Sequence, residues 1–117
     1  LSIEHVFAGV AVTRLDPSIA WYERFLGKPP DMRPNDHEAT WQLAGAAWVY
    51  VVADKSRAGN ALLTLLVDDL DEELASLARR GVPAGDVETA PGLFRRTTIT
   101  DPDGNRIRMG QTLGSRQ

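Results

Sequence analysis

Thr98-Ile99-Thr100-Asp101-Pro102-Asp103-Gly104-Asn105-Arg106-Ile107-Arg108-Met109 reads as a strand, a tight turn and a second strand. Asp101-Pro102 sets the entry to the turn, and Gly104 can take the positive φ that its exit needs. Four residues beyond Gly104 stands Arg108, on the returning strand. A guanidinium has five donors and no acceptor lone pair, so this side chain cannot ligate a metal cation.

Outward from this hairpin, the chain repeats itself. Val6-Phe7-Ala8-Gly9-Val10-Ala11-Val12 reads as a strand, and Asp16-Pro17 opens a helix with Asp16 expected as its N-cap. Ile19, Tyr22, Phe25 and Leu26 share one helical face, and Gly27 stops the helix. The pattern restarts at Ala61-Leu62-Leu63-Thr64-Leu65-Leu66-Val67. Asp69 is the expected cap of a second helix, with Glu72 completing a capping box. Leu70, Leu74, Leu77 and Ala78 form its apolar stripe, Arg79-Arg80 fill its last turn, and Gly81 ends it. Val12 and Val67 are 55 residues apart, and Gly27 and Gly81 are 54 apart. Offsets that agree this well mean one supersecondary unit used twice.

Each helix is followed by strand-like segments. They are Asp31-Met32, Thr40–Leu43 and Ala47–Val52 in the first half, and Ala84–Val87, Phe94–Thr100 and Asn105–Met109 in the second. The reading is a single α+β domain over residues 1–117, made of two βαβββ modules at about 4–54 and 60–110 with a tail at 111–117. The modules are expected to form a curved, mostly antiparallel sheet cup with the helices outside. Ala53 to Asn60 is small and polar, as a linker between halves should be.

Composition narrows the function classes. With 43% hydrophobic and 25% charged residues, the 117-residue chain has the balance of a globular domain. A net charge of −3 gives no electrostatic pull toward nucleic acid or anionic lipid, so neither is expected as a partner. There is no cysteine, hence no disulfide or thiolate chemistry, which fits a cytoplasmic location. No apolar run approaches the ~20 residues that span a bilayer, and Leu1-Ser2-Ile3-Glu4 does not read as a secretory start.

The chain resembles the vicinal-oxygen-chelate superfamily, the glyoxalase / bleomycin-resistance / extradiol-dioxygenase proteins, from about Glu4 to about Gly110. The resemblance rests on Trp21-Tyr22-Glu23-Arg24-Phe25-Leu26-Gly27, on Leu66-Val67-Asp68-Asp69-Leu70 and on Asp101-Pro102-Asp103-Gly104-Asn105, in that order and spacing. It implies a cup lined by four strands. In metal-using members, each of those strands gives one His or Glu ligand. Carried over residue by residue, these positions fall on Phe7, Tyr50, Leu62 and Arg108, with Tyr50 placed to within a residue or two. None is a His or a carboxylate, so no metal and no cofactor is expected.

If the family register holds, Phe7, Gly9 and Ala11, then Trp48, Tyr50 and Val52, then Leu62, Thr64 and Leu66 face inward together. Expected ligand-binding residues are Phe7, Trp48, Tyr50, Leu62, Thr64 and Arg108; no catalytic residue is assigned. An aromatic lining with one cation suits a flat or apolar ligand with an anionic or carbonyl group. The plainer reading is that the aromatics fill the core and Arg108 pairs with an acid or reaches solvent. His5 is expected at the start of an edge strand, exposed or bonded to backbone, and His37 in an exposed polar loop. Arg95-Arg96 reads as a solvated strand edge, although Arg96 could join Arg108 at the pocket mouth. Two functions stay open: a metal-free small-molecule binding protein of the antibiotic-sequestering kind, or a lyase, isomerase or dioxygenase with an unusual or absent metal site. A homodimer with its pocket at or near the interface is expected, since a cup with apolar inner faces needs closing.

Overall fold

The computed structural model describes residues 1–114. β1 (Val6–Val12), α1 (Leu15–Leu26), β2 (Met32–Asn35), β3 (Glu38–Ala44) and β4 (Ala47–Ala53) form the first module. β5 (Leu62–Leu66), α2 (Leu70–Arg79), β6 (Glu88–Ala90), β7 (Phe94–Thr100) and β8 (Arg106–Thr112) form the second. Sheet A has strand order β1-β4-β3-β2, and sheet B repeats it as β5-β8-β7-β6. In each sheet the first strand pairs parallel with the last, and the remaining pairs are antiparallel. The fold is the expected pair of βαβββ modules.

Alternation along the strands decides the layers. Val10 and Val12 of β1, Val49 and Val51 of β4, and Trp41 of β3 are buried with Ile19, Trp21, Tyr22 and Phe25 of α1. Ile99, Ile107 and Met109 of sheet B join the same core with Leu70 and Leu77 of α2. The opposite face of each sheet is the one that Phe7, Trp48, Leu62 and Arg108 occupy. No helix among the described residues is long and apolar enough to cross a membrane.

The turn after β7 is the joint between the modules. Asp101 N–H donates to the Asn105 carbonyl, Gly104 N–H donates to the Asp101 carbonyl, and Gly104 has φ 96°. Asn105 is fully buried and bridges the halves: Nδ2 donates to the Ala11 carbonyl at 2.8 Å and Oδ1 accepts from Ala61 N–H at 2.8 Å. Tyr22 of α1 donates its hydroxyl to Asp101 Oδ2 at 2.8 Å. Burial, then the Asp101 charge, pushes the Tyr22 hydroxyl far above its ordinary pKa. Arg80 ties the helices, its guanidinium donating to the carbonyls of Arg24 and Phe25 at the end of α1.

Several local expectations shift. α1 begins at Leu15, with Arg14 rather than Asp16 at the N-cap and no side-chain cap. Pro17 is tolerated inside the first turn because the N–H it lacks would have no helical partner there. Asp69 does cap α2, accepting from Glu72 N–H at 3.1 Å. Ala84–Val87 is not a strand: Gly85 bonds to Thr98, and the edge strand forms later, at Glu88–Ala90. β2 is displaced toward Asn35, and β3 extends beyond both of its expected ends. β8 runs on to Thr112, so Gln111 and Thr112 are strand rather than tail; the part of the expected tail at 115–117 lies outside the described residues.

Candidate functional site

The pairing register relates the two sheet faces position by position. Phe7 lies opposite Trp48 in sheet A, and Leu62 lies opposite Arg106 in sheet B. Two residues on, Gly9 faces Tyr50, and Thr64 faces Arg108. Tyr50 therefore holds in the first module the place that Arg108 holds in the second.

Sheet A carries an aromatic platform. Phe7 and Trp48 stack with centroids 5.4 Å apart and planes 19° apart. His5 is exposed, as expected, and joins this group: its Nδ1 accepts from Trp48 Nε1 at 3.0 Å. An indole N–H only donates, so neutral His5 carries its proton on Nε2. Gly9 makes room for Tyr50; a Cβ there would lie 2.6 Å from the ring's Cζ and Oη.

Sheet B carries aliphatic and cationic groups. Thr64, Leu66, Phe94, Arg96, Arg108 and Gly110 line a cavity of about 210 Å³. Arg95 and Arg96 are not an edge, because β7 lies between β6 and β8. Being adjacent on a strand, they point to opposite faces. Arg95 turns to the helix side and pairs with Asp71 at 3.0 Å, holding that carboxyl below the usual range chiefly through the hydrogen bond. Arg96 faces the cavity with its Nε on Glu88 at 2.7 Å.

Phe7 and Trp48 are thus brought together in one sheet, and Thr64 and Arg108 in the other. The cavity over Arg108 is built from sheet B alone. Tyr50 sits over Gly9, and Leu62 is 53% exposed. A cleft of about 370 Å³ between the modules contains Thr64 but none of the other five expected residues; its Arg80 is already committed to α1 carbonyls. Phe7 and Leu66 are 48% and 67% exposed. His37 lies exposed in the turn between β2 and β3.

The donor set does not fit a metal. Phe7 and Leu62 have no donor atom, and Arg108 is a cation. Among the described residues, no group of three or more His, Asp or Glu side chains could hold an ion.

Comparison with known proteins places this geometry. The profile of the Glyoxalase/Bleomycin resistance protein/Dioxygenase superfamily matches residues 2–109. A glyoxalase / bleomycin resistance protein from Catenulispora acidiphila is 40% identical, with TM-score 0.89, over 95% of this chain and 99% of that one. TnmS3, an antibiotic binding protein from a Streptomyces species, is 25% identical, with TM-score 0.79, over 96% and 98%. A lactoylglutathione lyase from Agrobacterium tumefaciens, 18% identical over 91% of each chain with TM-score 0.74, shares the fold. Comparison with curated proteins finds no match.

Proposed function

The chain belongs to the Glyoxalase/Bleomycin resistance protein/Dioxygenase superfamily, and on that premise we propose that it is a metal-free small-molecule binding protein. Its ligand is a small aromatic or apolar molecule with an anionic or carbonyl group. The observation that carries the reading is the strand register, which puts Phe7, Tyr50, Leu62 and Arg108 on the open faces of the sheets. A metal enzyme of this fold would need His or carboxylate there. The stacked Phe7–Trp48 pair offers a flat apolar surface, and Arg108 offers a charge. The likeness to TnmS3 supports binding over catalysis.

The working unit we propose is a homodimer. Exposed Phe7, Leu62 and Leu66 form apolar surface that a second copy would cover, with the pocket at or near the contact. Cytoplasmic action fits a chain without cysteine, and the net charge of −3 offers nothing to nucleic acid or an anionic membrane.

A thermal-shift screen of small aromatic acids and antibiotics, paired with elemental analysis of metal-loaded, desalted protein, tests the reading. It expects a ligand that raises the melting temperature and no stoichiometric metal. For a ligand so found, Arg108→Met should weaken binding by about 2–5 kcal/mol, the usual loss on removing one partner of a buried charge pair. About one ion per chain, lost on replacing Phe7, Tyr50, Leu62 or Arg108, would favour the lyase, isomerase or dioxygenase alternative. Sedimentation should give twice the 12.8 kDa of one chain.

A further inference from the structure

We propose that Arg96 joins Arg108 in a paired guanidinium site on the open face of sheet B, and that this pair holds a carboxylate carried by the ligand. The inference rests on the small-molecule reading above and names the chemistry of one end of that molecule.

Arg96 lies opposite Gly110, and Thr98 lies opposite Arg108. The two arginines are therefore diagonal neighbours on one face of adjacent strands, roughly 7–8 Å apart at the backbone. Gly110 leaves the space beside them open. A Cβ at Gly110 would stand 3.3 Å from the Arg95 carbonyl oxygen, 3.4 Å from Arg96 Cβ and 3.6 Å from Leu66 Cδ2, at the lining of the cavity.

Arg96 is held by one of its donors, with the others open among the described residues. Glu88 accepts from its Nε at 2.7 Å, and its Cζ lies 4.8 Å from the centre of the Phe94 ring. These contacts use one N–H and one face of the guanidinium plane. The four N–H groups on its two terminal nitrogens make no hydrogen bond among the described residues. Arg108 makes neither an ion pair nor a hydrogen bond among the described residues. Glu88 offsets one of the two positive charges, and the second is left for a ligand. Two forks beside an apolar floor match a planar anion with two acceptor oxygens on an apolar body. Leu66 and Phe94 border that floor, and Thr64 lies opposite Arg108 in the strand register.

The test titrates 2-naphthoate and its neutral isostere 2-naphthamide onto the full chain by calorimetry. The wild type should bind naphthoate at least about tenfold more tightly than the amide. Arg96→Met and Arg108→Met should each weaken naphthoate about tenfold or more and leave the amide within about twofold, while Arg96→Lys should fall between. Arg79→Met, on the outer helix, should change neither. Loss of naphthoate with Arg108→Met but not with Arg96→Met would overturn the pair and leave the proposed function standing. Equal binding of acid and amide would overturn the anion site. So would amide binding with no saturable naphthoate binding up to about 10 mM, weaker than one good charge contact on a flat ring should give. Failure of both probes to bind would count against the pair and the proposed function together.

Discussion

The two modules share a fold and differ in what they do with it. Both run strand, helix and three strands in the same sheet order, with their helices starting at Leu15 and Leu70. On the open face of sheet A, Gly9 faces Tyr50; at the matching place in sheet B, Thr64 faces Arg108. One face is aromatic and the other cationic. The turns differ as well: β3 and β4 are joined by the short Gly45-Ala46 link, whereas the Asp101–Asn105 turn reaches across to Ala11, Thr13, Tyr22 and Ala61. The lesson is that the buried faces of a repeat are constrained to agree, since each must cover a helix. The open faces and the turns are free to diverge, and the proposed function draws on the open faces.

The largest effect should come from breaking the joint that only the second module supplies. Asn105→Ala leaves the Ala11 carbonyl and the Ala61 N–H without their buried partner. The expected loss is about 3–5 kcal/mol of stability, read from denaturant unfolding. The equivalent link in the first module, probed by Ala46→Ser, should cost under about 0.5 kcal/mol, because that turn tip makes no such bridge. Equal costs at the two turns would remove the asymmetry.

A smaller effect is expected at Tyr22. Tyr22→Phe removes one hydrogen bond to Asp101, which keeps the bonds from Asn105 and the Asp103 N–H. The loss should be about 1–3 kcal/mol. Because the folded-state pKa of Tyr22 is raised, its contribution is fully present below its unfolded value near 10 and falls as pH rises beyond that. The wild type should therefore lose stability at alkaline pH more steeply than Tyr22→Phe. Identical pH dependence in the two proteins would contradict this.

How far the sequence disclosed these features depended on their range. β1 and β7 have the expected bounds, because their alternation is strong and their ends are marked by turn residues. The Asp69 cap was equally legible, being a contact over three residues. β6 was misplaced because its three residues, Glu88-Thr89-Ala90, carry no apolar alternation; pairing with β7 makes them a strand. In the site, strand alternation was enough to put Phe7, Trp48, Tyr50, Leu62, Thr64 and Arg108 on faces, and it would also have separated Arg95 from Arg96. It could not reveal that Glu88 pins Arg96, which needs the β6–β7 register, nor that His5 accepts from Trp48 across 43 residues.

A small change in stability, with a local consequence, is expected at Gly9. The Cβ in Gly9→Ala would meet the far end of the Tyr50 ring, which can swing away. The fold should lose less than about 1 kcal/mol, while the environment of Tyr50 changes, seen as shifted ring resonances in NMR spectra. A loss comparable to that of Asn105→Ala would mean that Gly9 serves the core rather than the open face.

In the proposed function, the Phe7–Trp48 platform of sheet A is offered to the flat body of a ligand and Arg108 of sheet B to its charge. This division is tested most directly by measuring the affinities of 2-naphthoate and 2-naphthamide for Trp48→Leu and Arg108→Met. Trp48→Leu should weaken acid and amide by the same factor, whereas Arg108→Met should weaken the acid alone. Unchanged affinity of both probes for Trp48→Leu, or equal weakening of both by Arg108→Met, would contradict it.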